Sequence, residues 1–474
     1  MQKTLLWFRQ DLRLADHPAL FYAAQAGQVL PIYILDTVHT RPLGGASQWW
    51  LHHSLKSLAA DICKTGAKLH FFVGDPQKII PQLCKEHALS HVYWSRCYEP
   101  EATQRDKALK KTLKDQGFIA ESFNASLLHE PWEIKPKTSD FYKVFTPYWG
   151  ACLKALEENP PLSPPPQPTE IQGLDVPCIP LEALGLQPKS PNWAKSFKPH
   201  WNIGEKAAFE KLREFCDHRI DAYHDNRNLP AVLGTSRLSP HLHFGELSPR
   251  QIYHHLHSQM QQNKGVDTFM SEIGWREFGY HLLYHIADFA HKPWKQNFNH
   301  FQWDTNPTAL KQWQQGQTGY PIVDAGMREL WQTGFMHNRV RMIAASFLIK
   351  DLFIHWKKGE EWFWDTLVDA DLANNVAGWQ WVAGSGADAS PYFRIFNPTS
   401  QGEKFDPHGH YIRKYVPELA NLPNEYIHAP LQAPTEVLLN AGVILGKTYP
   451  KPIVNHAAAR TEALARYKAI AMAK

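Results

Sequence analysis

Three stretches of the chain concentrate residues able to do chemistry. In TSRLSPHLHFGELSP, 235–249, Thr235, Ser236 and Ser239 place three hydroxyls within five residues, beside the fixed charge of Arg237. Ser239-Pro240 and Ser248-Pro249 each read as an N-cap serine followed by proline at the first helical position. A helix start offers unpaired N–H groups and a partial positive charge, which suits a phosphate, although ordinary capping explains the same residues. MHNRVRM, 336–342, sets His337, Asn338, Arg339 and Arg341 just ahead of an apolar run read as helical over 338–356. DADLANNVAGWQW, 369–381, holds two carboxylates, three amides and two indoles; Asp371, Asn375 and Trp379 recur at intervals of four and share a face if the segment is helical. Neither stretch makes sense as an exposed face or a dry core, because buried polar groups need partners. A planar ligand with many donors and acceptors would supply them. A shorter pattern pairs Glu272 with Arg276, four apart on one helical face and flanking Trp275; on its own it reads as a surface ion pair.

The chain that must position these residues is 474 long, which implies two or three domains. Its apolar share of 43% and charged share of 20% are those of an ordinary folded protein. Eighteen Trp and 24 Phe exceed what core filling asks for, so some indoles are expected to act as indoles. A net charge of +4 is compatible with a polyanionic partner without requiring one. The six cysteines are widely spaced with no CxxC pair, which points to neither a disulfide framework nor a metal site. No apolar run is long enough to span a bilayer, and a cytoplasmic protein with no membrane partner is expected.

Over the first 130 residues, short apolar runs alternate with helical patterns. LLWF at 5–8, VLPIYIL at 29–35, LHFFVG at 69–74 and HVYW at 91–94 read as buried strands. Leu51, Leu55, Leu58 and Ile62 recur at helical spacing, and 102–116 is polar with periodic apolar positions. This predicts an α/β domain over 1–130, with a Rossmann-like parallel sheet covered by helices. FRQDLRLADHP follows the first strand where a GxGxxG fingerprint would stand, so no dinucleotide pyrophosphate is expected there. Residues 131–200 read as a connector, proline-rich and semi-extended from about 155. From 201 to 474 the pattern is helical, with Leu212, Phe215 and Ile220 on one face of its first helix, and a large all-α domain is predicted.

WFRQDLRLADHPAL, TGYPIVDAGMREL, MHNRVRM, DLANNVAGWQW, PYFRIFNP and IRKYVPEL occur in that order and together span nearly the whole chain. With them the chain resembles the photolyase/cryptochrome flavoproteins, most closely the class I cyclobutane pyrimidine dimer photolyases. The resemblance implies an antenna chromophore in the α/β domain and a folded FAD in the helical one. By position, Tyr223, Thr235, Ser236, Arg237, Leu238 and Ser239 match residues on the FAD phosphates and ribityl chain. Asn338, Arg341, Asp369, Asp371 and Asn375 match those lining the isoalloxazine ring, where Trp275 also borders the flavin. Trp275, Met342 and Trp381 match the walls of the dimer pocket, and Glu272 its hydrogen-bonding acid. Trp379, Trp356 and Trp303 match a chain of indoles leading from flavin to surface. Arg227, Arg276, Arg339 and Arg394 match residues facing DNA phosphates, with Glu272 and Asn338 also on the DNA side.

The implied activity is that of a deoxyribodipyrimidine photo-lyase, a carbon–carbon lyase of light-dependent DNA repair. Reduced FAD donates an electron to a flipped-out cyclobutane dimer, which splits into two pyrimidines. Photolyases are among the enzymes that extrude their target base, and stacking on Trp275 and Trp381 would recover part of the cost. Arg341, held by Asp369 in a charge-assisted pair, would stabilise the flavin anion. Asn375 would sit near the flavin N5 as an amide with no proton to lose, the choice of repair members rather than of light receptors. Met342 stands where members acting on (6-4) lesions carry histidine. The expected partner is ultraviolet-damaged DNA, bound by a monomer. Folate-binding members carry an Asn-Glu pair after a Tyr-Glu dipeptide; here Tyr98-Glu99 is followed by Pro100, Glu101 and Ala102, which leaves folate and deazaflavin both open as the second chromophore.

Overall fold

The computed structural model describes residues 2–388 and 393–472. The chain divides into two compact units. The first comprises Met1–Asp221, Ser236–Ala287 and Val368–Ala373, and the second Ala222–Thr235, Asp288–Leu367 and Asn374–Lys474.

The first unit opens with alternating strands and helices: β1 (Gln2–Phe8), α1 (Pro18–Ala26), β2 (Gly27–Asp36), α2 (Gly45–Lys64), β3 (His70–Gly74), α3 (Pro76–Glu86), β4 (His91–Ser95), α4 (Pro100–Asp115) and β5 (Ile119–Phe123). The strands form one parallel sheet in the order β3-β2-β1-β4-β5. Leu5 pairs with Leu30 on one side and Val92 on the other. All three are fully buried, in a core with Trp7, Ile32, Trp94 and Leu109. Helices cover both faces, which is why these strands are continuous apolar runs without alternation. The four anticipated strands are present; β5, IAESF, lies at the edge and carries too little apolar patterning to be anticipated.

Beyond the sheet, α5 (Phe145–Glu158) takes the first residues expected of the proline-rich stretch. The chain beyond it touches the sheet through isolated bridges from Gly173 to Val29 and Ile179 to Phe71, then forms short 3-10 turns at Leu181–Leu184, Trp193–Ser196 and Lys198–His200. Helix α6 (Glu205–His218) buries Leu212 and Phe215; Ile220 is buried too, but lies past the helix end. After α7 (Tyr223–Asn226), which belongs to the second unit, come α8 (Ser239–His243), α9 (Pro249–Gln259) and α10 (Lys264–His285).

The loop after β1 holds the turn between α8 and α9, and the start of α9, through buried charge. Arg13 is wholly buried, and its guanidinium donates to the carbonyls of Ala15, Asp16, Ala125 and Gly245 at 2.7–3.1 Å. Asp16 accepts from Ser248 Oγ at 2.5 Å and Arg250 Nε at 2.8 Å. Ser248 caps α9 in a reciprocal capping box with Gln251, as its sequence suggests.

The second unit is helical. It contains α11 (Pro307–Gln314), α12 (Pro321–Thr333), α13 (Asn338–Ser346), α14 (Trp356–Thr366), most of α15 (Leu372–Ala383), α16 (Pro398–Phe405), α17 (His410–Tyr415), α18 (Thr435–Asn440) and α19 (His456–Met472). The helix expected over 338–356 is not continuous. Helix α13 widens into a π-helical turn at Phe347–Asp351 and then stops, with Phe353 in the left-handed region at φ 54°. Helix α14 restarts at Trp356 under a cap from His355. The apolar run continues through the break because both sides of it are buried, so apolar residues alone do not reveal it. No described helix is long and apolar enough to cross a membrane.

Candidate functional site

In the first unit, two acids in the turn before α15 organise the polar residues. Asp369 accepts from Ser239 Oγ at 2.6 Å. Ser239 is therefore the first residue of α8 and bonds a carboxylate; Leu238 takes the cap position, which corrects its reading as an N-cap. Asp371 accepts from the Tyr280 hydroxyl and lies 3.9 Å from His243 Nδ1. Asp371 precedes α15, so the spacing of four from Asp371 to Asn375 is not a helical one. Burial alone would raise the Asp371 pKa, but neighbouring His243 and Arg276, with the Tyr280 hydroxyl, hold it down to about 2.

Helix α10 carries Glu272, Trp275 and Arg276, all half-buried. Trp275 stacks on Phe145 with centroids 3.8 Å apart and planes 11° from parallel. Arg276 donates to Ser126 O at 2.8 Å, lies 3.5 Å from Glu277 Oε1 and covers the Tyr280 ring at 5.0 Å. Arg237 takes a left-handed backbone, φ 53°, and sets its guanidinium over Trp201 at 4.4 Å. Ser236 Oγ accepts from Leu238 N at 3.4 Å, a local turn rather than a helix cap. Thr235, assigned with this run by sequence, falls in the second unit.

At the carboxyl ends of β1 and β4, where the strand order reverses and α/β sheets commonly bind ligands, ion pairs fill the space. Arg9 donates to Asp106 at 2.6 Å, and Arg105 to Asp36 at 2.8 Å and Asp106 at 2.7 Å. The Trp7 ring meets both guanidiniums, at 4.6 and 4.8 Å. Two nitrogens of buried Arg9 have no protein partner.

In the second unit, His337 caps α13: its Nδ1 accepts from Arg339 N at 3.2 Å. This leaves the ring proton on Nε2, a buried N–H with no acceptor in the protein. Burial, then the charges of Arg341 and Arg339, push the imidazole down to about 4, so it is neutral and can accept. Asn338 is exposed as the first residue of α13, Met342 is half-buried one turn on, and Arg341 donates to Met336 O at 2.7 Å. Arg339 grips Asn228 Oδ1 with two nitrogens, at 2.7 and 3.2 Å, and lies over Phe405 at 4.5 Å. Burial chiefly, then Arg394 and Arg227, lower the Arg339 pKa; the three guanidiniums share one neighbourhood. Tyr223 is buried as the first residue of α7.

On α15, the Asn375 amide nitrogen donates to Glu360 at both its carbonyl (3.2 Å) and its carboxylate (3.0 Å). Its carbonyl is thus the end left for a ligand's donor. Glu360 is fully buried and pairs with Lys357 at 3.1 Å. Trp379 is buried between Phe363 (4.9 Å) and Trp313 (6.3 Å), and a Cβ on Gly359 would come within 2.0 Å of its ring. Trp381 is half-buried. Trp303 and Trp356 flank one imidazole, His355, at 4.9 and 5.7 Å between centroids. Part of the PYFRIFNP motif, 391–392, lies outside the described residues.

Sequence reasoning missed Tyr280, His243, Glu360 and Trp313. They sit 91 and 128 residues from Asp371, 15 from Asn375 and 66 from Trp379 along the chain, so no local spacing connects them. The donor set fits FAD. The first unit offers acids and the Arg237 guanidinium, and the second, taken by itself, the Asn375 amide and a buried imidazole N–H needing an acceptor, groups of the kinds a flavin ring and phosphates call for.

Comparisons with known proteins identify the family. Residues 4–169 match the DNA photolyase family model, and 269–469 match the FAD binding domain of DNA photolyase. A deoxyribodipyrimidine photo-lyase of Agrobacterium fabrum is 48% identical over 474 residues, 98% of each chain. Cryptochrome-2 of Arabidopsis thaliana is 37% identical over 97% of this chain and 78% of its own. A crystal structure of a bacterial class III photolyase from Agrobacterium tumefaciens superposes with a TM-score of 0.95 at 48% identity, covering 99% of this chain and 98% of that one. The chain belongs to the photolyase/cryptochrome family. Its fold, a five-stranded parallel-sheet domain with a helical FAD-binding domain, is that family's.

Proposed function

We propose that the protein is a light-dependent DNA repair flavoenzyme, a deoxyribodipyrimidine photo-lyase acting on cyclobutane pyrimidine dimers in ultraviolet-damaged DNA. When bound, reduced FAD supplies the excited electron that splits the dimer. The observation that carries the reading is Asn375: with both contacts of its amide nitrogen spent on Glu360, its carbonyl is left to accept the N5 hydrogen of a reduced flavin. A light receptor of the same family has no need of that residue together with Glu272, Trp275, Met342 and Trp381.

Tyr223, Thr235, Ser236, Arg237, Leu238 and Ser239 hold the phosphates and ribityl chain. Asn338, Arg341, Asp369, Asp371 and Asn375 bind the ring. Trp275, Met342 and Trp381 wall the lesion, and Glu272 bonds a thymine carbonyl. Trp303, Trp356 and Trp379 relay electrons inward during photoreduction. Arg227, Arg276, Arg339 and Arg394 hold phosphates, and Asn338 and Glu272 also face the DNA.

The domains follow as 1–130 for the antenna, 131–200 as connector, and 201–474 for FAD and DNA. The motifs favour class I within the family, while the 48%-identical solved structure is named class III. A folate or a deazaflavin serves as antenna, and the protein works in the cytoplasm as a monomer.

Lesion recognition tests the proposal. Irradiated duplex should bind more tightly than intact duplex of the same sequence by roughly tenfold to a hundredfold, from stacking worth about 1–3 kcal/mol per extruded base. Equal binding of the two duplexes would refute it.

A further inference from the structure

Lys350 is an expensive residue for its position. It lies in the π-helical turn after α13 and is 2% exposed, a position where a leucine or methionine would avoid the cost of burying a charge. Its ammonium donates to one atom in particular, the backbone carbonyl of Arg394, at 2.5 Å, and also lies over the Phe393 ring at 4.7 Å. Burial, helped by the like charge of Arg394, depresses its pKa to about 7 against the opposing pull of Asp351, which is itself tied to His456 of α19 at 2.5 Å.

The irregular segment around Arg394 is fastened on either side of it. Phe393 stacks on Tyr467 of α19, with centroids 4.5 Å apart and planes 3° from parallel, inside an apolar cluster with Phe298, Phe301 and Phe353. Phe396 N donates to Ser346 Oγ at 3.3 Å. Between these buried anchors the Arg394 side chain is exposed, over the Phe396 ring at 4.8 Å. A backbone pinned at three successive places, with one exposed guanidinium between them, is what aiming a phosphate contact requires.

We infer that Lys350 and Tyr467 are positioning residues for DNA binding, which lock the backbone of Arg394 so that its guanidinium meets a phosphate without first being ordered. The inference rests on the proposed role of Arg394. Neither residue touches the DNA; both act through the carbonyl and the ring beside the arginine. Pre-ordering raises affinity because an immobilised long side chain costs less to bind.

The test uses full-length holoprotein and a dimer-containing duplex, with affinity measured from 50 to 200 mM salt and flavin content by absorbance. Each phosphate contact contributes about 0.9 to the slope of log affinity against log salt, roughly a 3.5-fold change across that fourfold range. Arg394→Ala should remove one such step. Lys350→Met should remove the same step with flavin content unchanged, Lys350→Arg should restore it, and Lys350→Met combined with Arg394→Ala should be no weaker than Arg394→Ala alone. Tyr467→Leu gives the same comparison if Lys350→Met fails to fold. Wild-type slope and affinity in Lys350→Met and Tyr467→Leu overturn the inference, as do losses that add in the double variant. An unchanged slope in Arg394→Ala overturns it too, but leaves the repair function standing; wild-type protein indifferent to the dimer would instead bring down the proposed function.

Discussion

Replacing Trp379 with phenylalanine is expected to reduce light-driven reduction of the flavin to the level of protein kept in the dark, while dimer splitting by chemically reduced protein continues. The geometry separates the two effects. Trp379 is buried, and its indole N–H has no partner, so phenylalanine breaks no hydrogen bond. Its ring neighbours, Phe363 and Trp313, remain in place, and the lost contacts cost about 1–3 kcal/mol, less than a protein of this size needs to unfold. What disappears is the easily oxidised indole at the inner end of the proposed relay. Flavin absorbance followed under illumination with an external reductant reads the first effect, and single-turnover repair after dithionite reduction reads the second. Loss of both would refute the assignment of Trp379 as a relay.

The second large effect is structural. Asp371→Ala should lower stability by about 3–5 kcal/mol and yield protein largely free of flavin, because it strands buried groups rather than trimming a contact. Tyr280 loses the acceptor of its hydroxyl, and His243 and Arg276 lose the charge beside them. The sign of the pH dependence follows from the lowered pKa. The folded state binds its proton less readily than the unfolded chain does, so the stabilisation from Asp371 is complete above the ordinary carboxylate value of 3.8 and is lost as pH falls through about 2. Denaturant unfolding with flavin absorbance on the purified variant checks both parts. An Asp371→Ala protein that retains wild-type flavin and midpoint would show that this acid is not where the site is organised.

Much of this arrangement is legible in the sequence, for identifiable reasons. Parallel strands buried on both faces must be continuous apolar runs, so β1 to β4 stand out, whereas edge strand β5, with Glu121 and Ser122 at its centre, does not. The segments around 338 and 371 are conspicuous because their polar residues are too dense for a core and too mixed with indoles for a surface. The pairings that organise them are another matter. Ser239 looks like a cap, but it lies within hydrogen-bonding distance of an acid 130 residues away. His337 and His355 cap α13 and α14 through neutral imidazoles, a role their residue type does not advertise. Lys350 stands in an apolar run without any local sign of its carbonyl partner, 44 residues on. Local pattern marks where the chemistry gathers; contacts across long stretches of chain decide what each side chain does there.

The most direct test of the account uses purified protein with its flavin reduced and an oligonucleotide carrying a single cyclobutane thymine dimer. Under blue light the dimer should revert to two thymines, repeatedly for each protein molecule, while a mixture kept dark stays unchanged. A dimer that survives illumination with reduced flavin bound would contradict it.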